Sequence, residues 1–128
     1  MKRSNIDAMI CKQEGITEIT RDEIHRIQLE KLNIVLKREK EREGFYRDLP
    51  ERLESLIDLR SLPFTTETDL ARDGGRMLLC SQGEVQKVIS EQTSGTTGAG
   101  KRVFYTEGDC EHTIELFMAC LLYTSDAA

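Results

Sequence analysis

The stretch TSGTTGAGKR, Thr93 to Arg102, constrains this chain more than any other. It packs three glycines, three threonines and a serine into ten residues and ends on two bases. Before it lies EVQKVISEQ, with weak alternation, and after it RVFYT, rich in β-branched and aromatic residues. Both runs have the composition of strands. The sequence therefore predicts strand, long polar loop, strand. Glycines accept positive φ at little cost, so the loop backbone can turn several N–H groups toward one point. Successive inward N–H groups form an anion nest. Ser94, Thr96 and Thr97 add hydroxyl donors and Lys101 adds a positive charge. That chemistry suits phosphate oxygens. The plainer reading is a hairpin turn, but a turn needs only one or two glycines and not this density of hydroxyls.

Gly95, Gly100 and Lys101 fit the G-x-x-x-x-G-K spacing of a Walker A loop. Two features reject that assignment. Arg102 stands where a Ser or Thr would hold magnesium. The residues after Lys101 also read as strand, whereas a Walker A loop opens directly into a helix.

The rest of the chain reads as helices around this hairpin. ITEITRDEIHRIQLEKLNIVLKREKEREG predicts one long helix over Arg21 to Glu43. Thr20 and Glu23 form a capping box at its start, and Gly44 is expected to supply the left-handed stop. Ile24, Ile27, Leu32, Val35 and Leu36 recur at helical spacing as its apolar stripe. The mixed-sign run KREKERE, Lys37 to Glu43, reads as a solvated end. Phe45 and Tyr46 are expected to anchor that end by packing. Pro50 and Pro63 break the next segment into short pieces, and Thr66 with Asp69 caps a further short helix. Asp73 to Gly75 is expected to turn, and RMLLC to form a short buried strand or turn. After the hairpin, TEGDCEHTIELFMACLL reads as a helix capped near Thr106 or Asp109. Its expected buried face is Ile114, Phe117, Met118 and Leu121. The fold class is thus α/β: N-terminal helices, a β-hairpin framing a phosphate loop, then a further helix.

A net charge of -5 argues against a nucleic-acid platform, which would be basic. The longest apolar runs fall far short of the ~20 residues that span a bilayer. The start MKRSNIDAMICKQEG lacks the apolar core of a secretory signal. These features point to a cytoplasmic protein without membrane or nucleic-acid partners. Four cysteines stand at 11, 80, 110 and 120, none in a C-x-x-C pair, with histidines at 25 and 112. Cys110 and His112 alone do not make a zinc site, so reduced, packed thiols and no metal ligands are expected.

The ending LLYTSDAA resembles translated adapter sequence and breaks off inside a helical pattern without a cap. Residues 121–128 are therefore taken as a suspected non-native tail, with residues 1–120 as the natural segment.

The loop TSGTTGAGK resembles the phosphate loop of adenylate-forming enzymes, [S/T]-S-G-T-T-G-x-P-K, with Gly100 in place of the proline. QLEKLNIVLKREKEREGFYRDL, SLIDLRSLPFTTETDL and TSGTTGAGKRVFYTEGD follow one another as in the N-terminal part of phenylacetate–CoA ligase-like proteins. The likeness runs roughly from Thr20 to Leu121. It implies that residues 1–120 are an incomplete part of the large AMP-binding domain. It implies a parent enzyme that uses ATP and Mg2+ to turn a carboxylic acid into an acyl-adenylate, then passes the acyl group to a thiol, usually coenzyme A. By the same resemblance Ser94, Gly95, Thr96, Thr97, Gly98 and Lys101 would contact the β- and γ-phosphates. Gly100 loosens the far end of the loop relative to proline. The family's adenine- and ribose-binding motifs, its acid pocket, its magnesium-binding glutamate and its catalytic lysine have no counterpart in these 128 residues. The resemblance therefore implies that this segment alone lacks activity and holds no catalytic residue.

Two readings of another class stand beside it. One is a stand-alone phosphate- or nucleotide-binding protein without catalysis. The other is a helical interaction protein in which the long charged helix matters. The identity of the acid, the acceptor and the oligomeric state are not encoded in any motif here.

Overall fold

The computed structural model describes residues 4–91 and 101–125. In order these form α1 (Asn5–Glu14), α2 (Arg21–Glu41), α3 (Glu67–Asp73), β1 (Val85–Glu91), β2 (Lys101–Thr106) and α4 (Glu107–Ser125). Short 3-10 helices at Leu56–Ser61, Gly74–Met77 and Gln82–Glu84 fill the connections. The architecture is mixed α/β, mostly helical, with one two-stranded antiparallel hairpin among the described residues. The described residues divide into two compact units. One comprises the chain up to Ile27 and from Gly108 onward, the other Gln28–Glu107.

In the first unit α1 is closed at both ends by local chemistry. The Ser4 hydroxyl accepts the Asp7 N–H at 3.1 Å, and the Asp7 carboxylate accepts the Ser4 N–H at 3.1 Å. This reciprocal box satisfies two donors that a helix start leaves orphaned. Gly15 ends the helix in the left-handed region at φ 66°, where a side chain would be strained. Gln13 on α1 donates to Glu115 of α4 at 2.9 Å and lies 3.4 Å from His112. The buried apolar residues of this unit are Cys11, Ile27 and Ala119.

The expected buried face of α4 is exposed instead. Ile114 is 63% exposed, Phe117 62%, Met118 50% and Leu121 47%. The helical spacing is as expected, but a stripe becomes a core only when another surface covers it, and the described residues supply none. The helix runs to Ser125, past Leu122, where the predicted helical stretch ends.

The second unit is organised around the later turns of α2. Thr20 caps the start of this helix, accepting the Glu23 N–H at 3.2 Å. Leu36 is buried, whereas Val35 of the predicted stripe is 46% exposed. Asn33 clasps the backbone of Leu53, donating to its carbonyl at 3.0 Å and accepting its N–H at 2.8 Å. Leu53 itself is buried.

The end of α2 differs from expectation in two ways. The left-handed residue is Glu43, at φ 51°, not Gly44. The Gly44 N–H bonds the Glu39 carbonyl at 2.8 Å and the Glu43 N–H bonds the Lys40 carbonyl at 3.3 Å. That pair of bonds is a Schellman end displaced by one residue from the glycine. Gly44 serves space instead: a Cβ there would collide with Glu39 Oε2 and come within 2.8 Å of Leu79 Cδ2. The charged run is also not wholly solvated, because Glu39 is buried in its midst. Its carboxylate accepts the Tyr46 N–H at 3.0 Å.

Candidate functional site

The hairpin is the frame of the predicted phosphate loop. β1 and β2 pair antiparallel from Val85 opposite Thr106 to Glu91 opposite Lys101. The register slips by one residue between Val85 and Lys87, a bulge that bends the strand at the end away from the loop. Ile89 pairs with Val103 and Val88 with Phe104, as the β-branched and aromatic composition predicts. β2 lies against α3 and the Gly74–Met77 turn, and α4 follows it without an intervening loop. The segment RMLLC forms no strand. Arg76 and Met77 close the 3-10 turn, and Leu78 to Cys80 continue as half-buried irregular chain.

Lys101 is the first residue of β2, directly opposite the last residue of β1. Its backbone therefore sits at the mouth of the loop. Ser94, Gly95, Thr96, Thr97 and Gly98 lie outside the described residues.

On the approach to β1, short-range hydrogen bonds hold several carboxylates ionised. The Thr66 hydroxyl donates to Asp69 at 2.7 Å and the Thr66 N–H at 2.9 Å. With help from Arg72 these bonds hold Asp69 below the usual carboxylate value. Arg72 does the same to Asp73 through a 2.6 Å bond, with Arg76 assisting, and is itself raised by that partner. Ser81 lowers Glu84 by donating its hydroxyl at 2.6 Å and its N–H at 2.8 Å. All three carboxylates are engaged in local caps or exposed ion pairs. None is set up as a proton donor near neutral pH.

No group of three or more His, Cys, Asp or Glu residues that could hold a metal occurs among the described residues. Cys11 is buried, Cys80 and Cys110 are half-buried, and Cys120 is exposed; all four are free thiols. No helix among the described residues is long and apolar enough to cross a membrane.

The aromatic pair at the end of α2 does more than the packing expected of it. Phe45 and Tyr46 do pack together, edge to face with ring centroids 4.8 Å apart. They also line a cleft of ≈ 250 Å³ with Asp48 and Leu49 on one side and Pro63, Phe64, Thr65 and Asp69 on the other. The Tyr46 hydroxyl and Thr65 Oγ1 share a hydrogen bond that ties the two sides together. The available signal was the aromatic pair Phe45–Tyr46 before Pro50 and the single Phe64 after Pro63, at the two ends of a short irregular segment.

Comparison with known protein families and with curated proteins finds no match to this chain.

Proposed function

We propose that this chain is the N-terminal part of an adenylate-forming, ATP-dependent acid–thiol ligase, with residues 1–120 belonging to its AMP-binding domain. The observation that carries the reading is the hairpin. TSGTTGAGK is bracketed by two strands that pair up to Glu91 opposite Lys101. A strand–loop–strand frame is what the adenylate-forming loop requires and what a Walker A loop lacks. The donor set fits a polyanion, because the loop offers hydroxyls, backbone N–H groups and an ammonium, and Thr93 to Arg102 contains no carboxylate. ATP is a substrate here, and the magnesium that accompanies it neutralises the leaving pyrophosphate.

In this reading Ser94, Thr96 and Thr97 donate hydroxyls to phosphate oxygens, and Gly95 and Gly98 let the backbone approach them. Lys101, anchored at the start of β2, stabilises the charge that develops as pyrophosphate departs. The work is positioning and electrostatics. Coenzyme A is the proposed acceptor thiol, and the remaining machinery is proposed to lie outside these 128 residues.

The test is a pair of half-reaction assays on the longer protein that carries this segment. Thr96→Ala and Lys101→Ala should each slow pyrophosphate exchange by on the order of 10²–10³. Thioester formation from pre-made acyl-adenylate should change far less, since pyrophosphate has already left. Gly98→Val should be worse than either, and Gly100→Pro should be tolerated. Equal losses in both half-reactions, or none in either, would return the loop to an ordinary turn.

A further inference from the structure

The cleft beside the end of α2 has a chemistry opposite to that of the loop. Phe45, Tyr46 and Phe64 contribute three aromatic rings, and the charged side chains that line it are Asp48 and Asp69. Among the described residues no lysine, arginine or histidine lines it, although Arg72 pairs with Asp69 beside it. Aromatic faces carry negative charge density and attract cations, and the Asp48 carboxylate strengthens that field, whereas Asp69 is already paired with Arg72 at 3.4 Å. A carboxylic acid or a phosphate would be repelled here. Phe64 stands 94% exposed at this cleft, a large apolar area that a ligand would remove from water.

The polar atoms of the lining narrow the class further. Asp69 Oδ2 already accepts two bonds from Thr66, and Oδ1 takes Arg72 at 3.4 Å. Tyr46 and Thr65 are spent on each other. A primary ammonium or a guanidinium brings several N–H donors, and among these lining side chains only the Asp48 carboxylate has no engagement already, so most of those donors would find no acceptor in the cleft. A quaternary ammonium has no N–H to satisfy and uses only the ring faces and the field. The cleft volume of ≈ 250 Å³ admits a compact head group but not a nucleotide. We propose that this cleft binds small quaternary ammonium compounds, with the alkylated nitrogen among the rings of Phe45, Tyr46 and Phe64 and with Asp48 as counter-charge. The proposal does not rest on the function of the loop.

The experiment is an amide NMR titration of the 128-residue chain with choline at fixed ionic strength, beside the neutral isostere in which carbon replaces the nitrogen. Choline should give saturable shifts confined to residues 45–49 and 63–69, with millimolar affinity, and the isostere should give none. Phe64→Ala, at an exposed position that should not disturb folding, should weaken choline by about three-fold. Asp48→Asn, also exposed, should weaken it at low salt and less at high salt. Equal binding of the isostere, the same shifts from sodium chloride, or undiminished binding by both variants would overturn the proposal.

Discussion

The end of α2 buries a carboxylate, whereas α4 leaves Ile114, Phe117, Met118 and Leu121 in solvent. Residue type alone would assign these the other way round. At the end of α2, Glu39 is enclosed because its carboxylate accepts the Tyr46 N–H and because Gly44 leaves room for it. Burying a charge is costly unless hydrogen bonds replace its water. Along α4 the apolar stripe meets no covering surface among the described residues, so its side chains stay exposed. Burial thus follows from what lies opposite a side chain, and hydropathy supplies only the tendency.

The comparison can be broken most sharply at Asn33. Asn33→Ala should cost about 3 kcal/mol in urea unfolding, because it strands both the N–H and the carbonyl of buried Leu53. A loss within experimental error would mean that the clasp does not hold this end of the unit together. Gly44→Val should follow, at about 2 kcal/mol, by forcing Glu39 away from the Tyr46 N–H. In a double-mutant cycle with Glu39→Ala the combined loss should be smaller than the sum of the two. Additive losses would place the strain elsewhere.

Thr66→Ala should cost about 1 kcal/mol through loss of the α3 cap. The same site makes a pH prediction. The native pKa of Asp69 is lowered by its bonds from Thr66, so its contribution is complete above the ordinary carboxylate value. It is lost as the pH falls below about 4 through the lowered native value. Acid titrations followed by Asp69 carboxyl NMR should show that lowered midpoint, and Thr66→Ala should move it back toward normal. An unchanged midpoint would remove the cap as its cause. The smallest effect is expected on α4. Phe117→Gln should change stability by less than about 0.5 kcal/mol, because the ring is largely exposed already. A loss several times larger would show that this face is covered in solution.

Features written in a local pattern of residue types were the most legible. The α2 start at Arg21, the Thr66 cap of α3 and the two strands all appear where local patterns place them. The Schellman end was legible as a stop, but its left-handed residue was misplaced. Glycine usually takes that position, and here Glu43 takes it while the glycine meets a packing demand from Leu79 and Glu39. The aromatic cleft was hidden because Phe45 and Phe64 are distant in sequence and become neighbours only through the path of the intervening chain. Ser94 to Gly98 were legible as chemistry alone.

By itself the sequence determined the long helix, the Thr66-capped short helix and the strand–loop–strand frame, and it offers Thr93 to Arg102 as a set of donors that would suit an anion. Those depend on backbone preference, short-range hydrogen bonds and side-chain donors, which are properties of neighbouring residues. Only the tertiary structure decided that Glu39 is buried, that Gly44 leaves space for it, that the α4 stripe lies open and that the Phe45–Tyr46 pair and Phe64 line one cleft. Each of these is set by which surfaces come into contact, and a one-dimensional pattern does not specify the surface opposite.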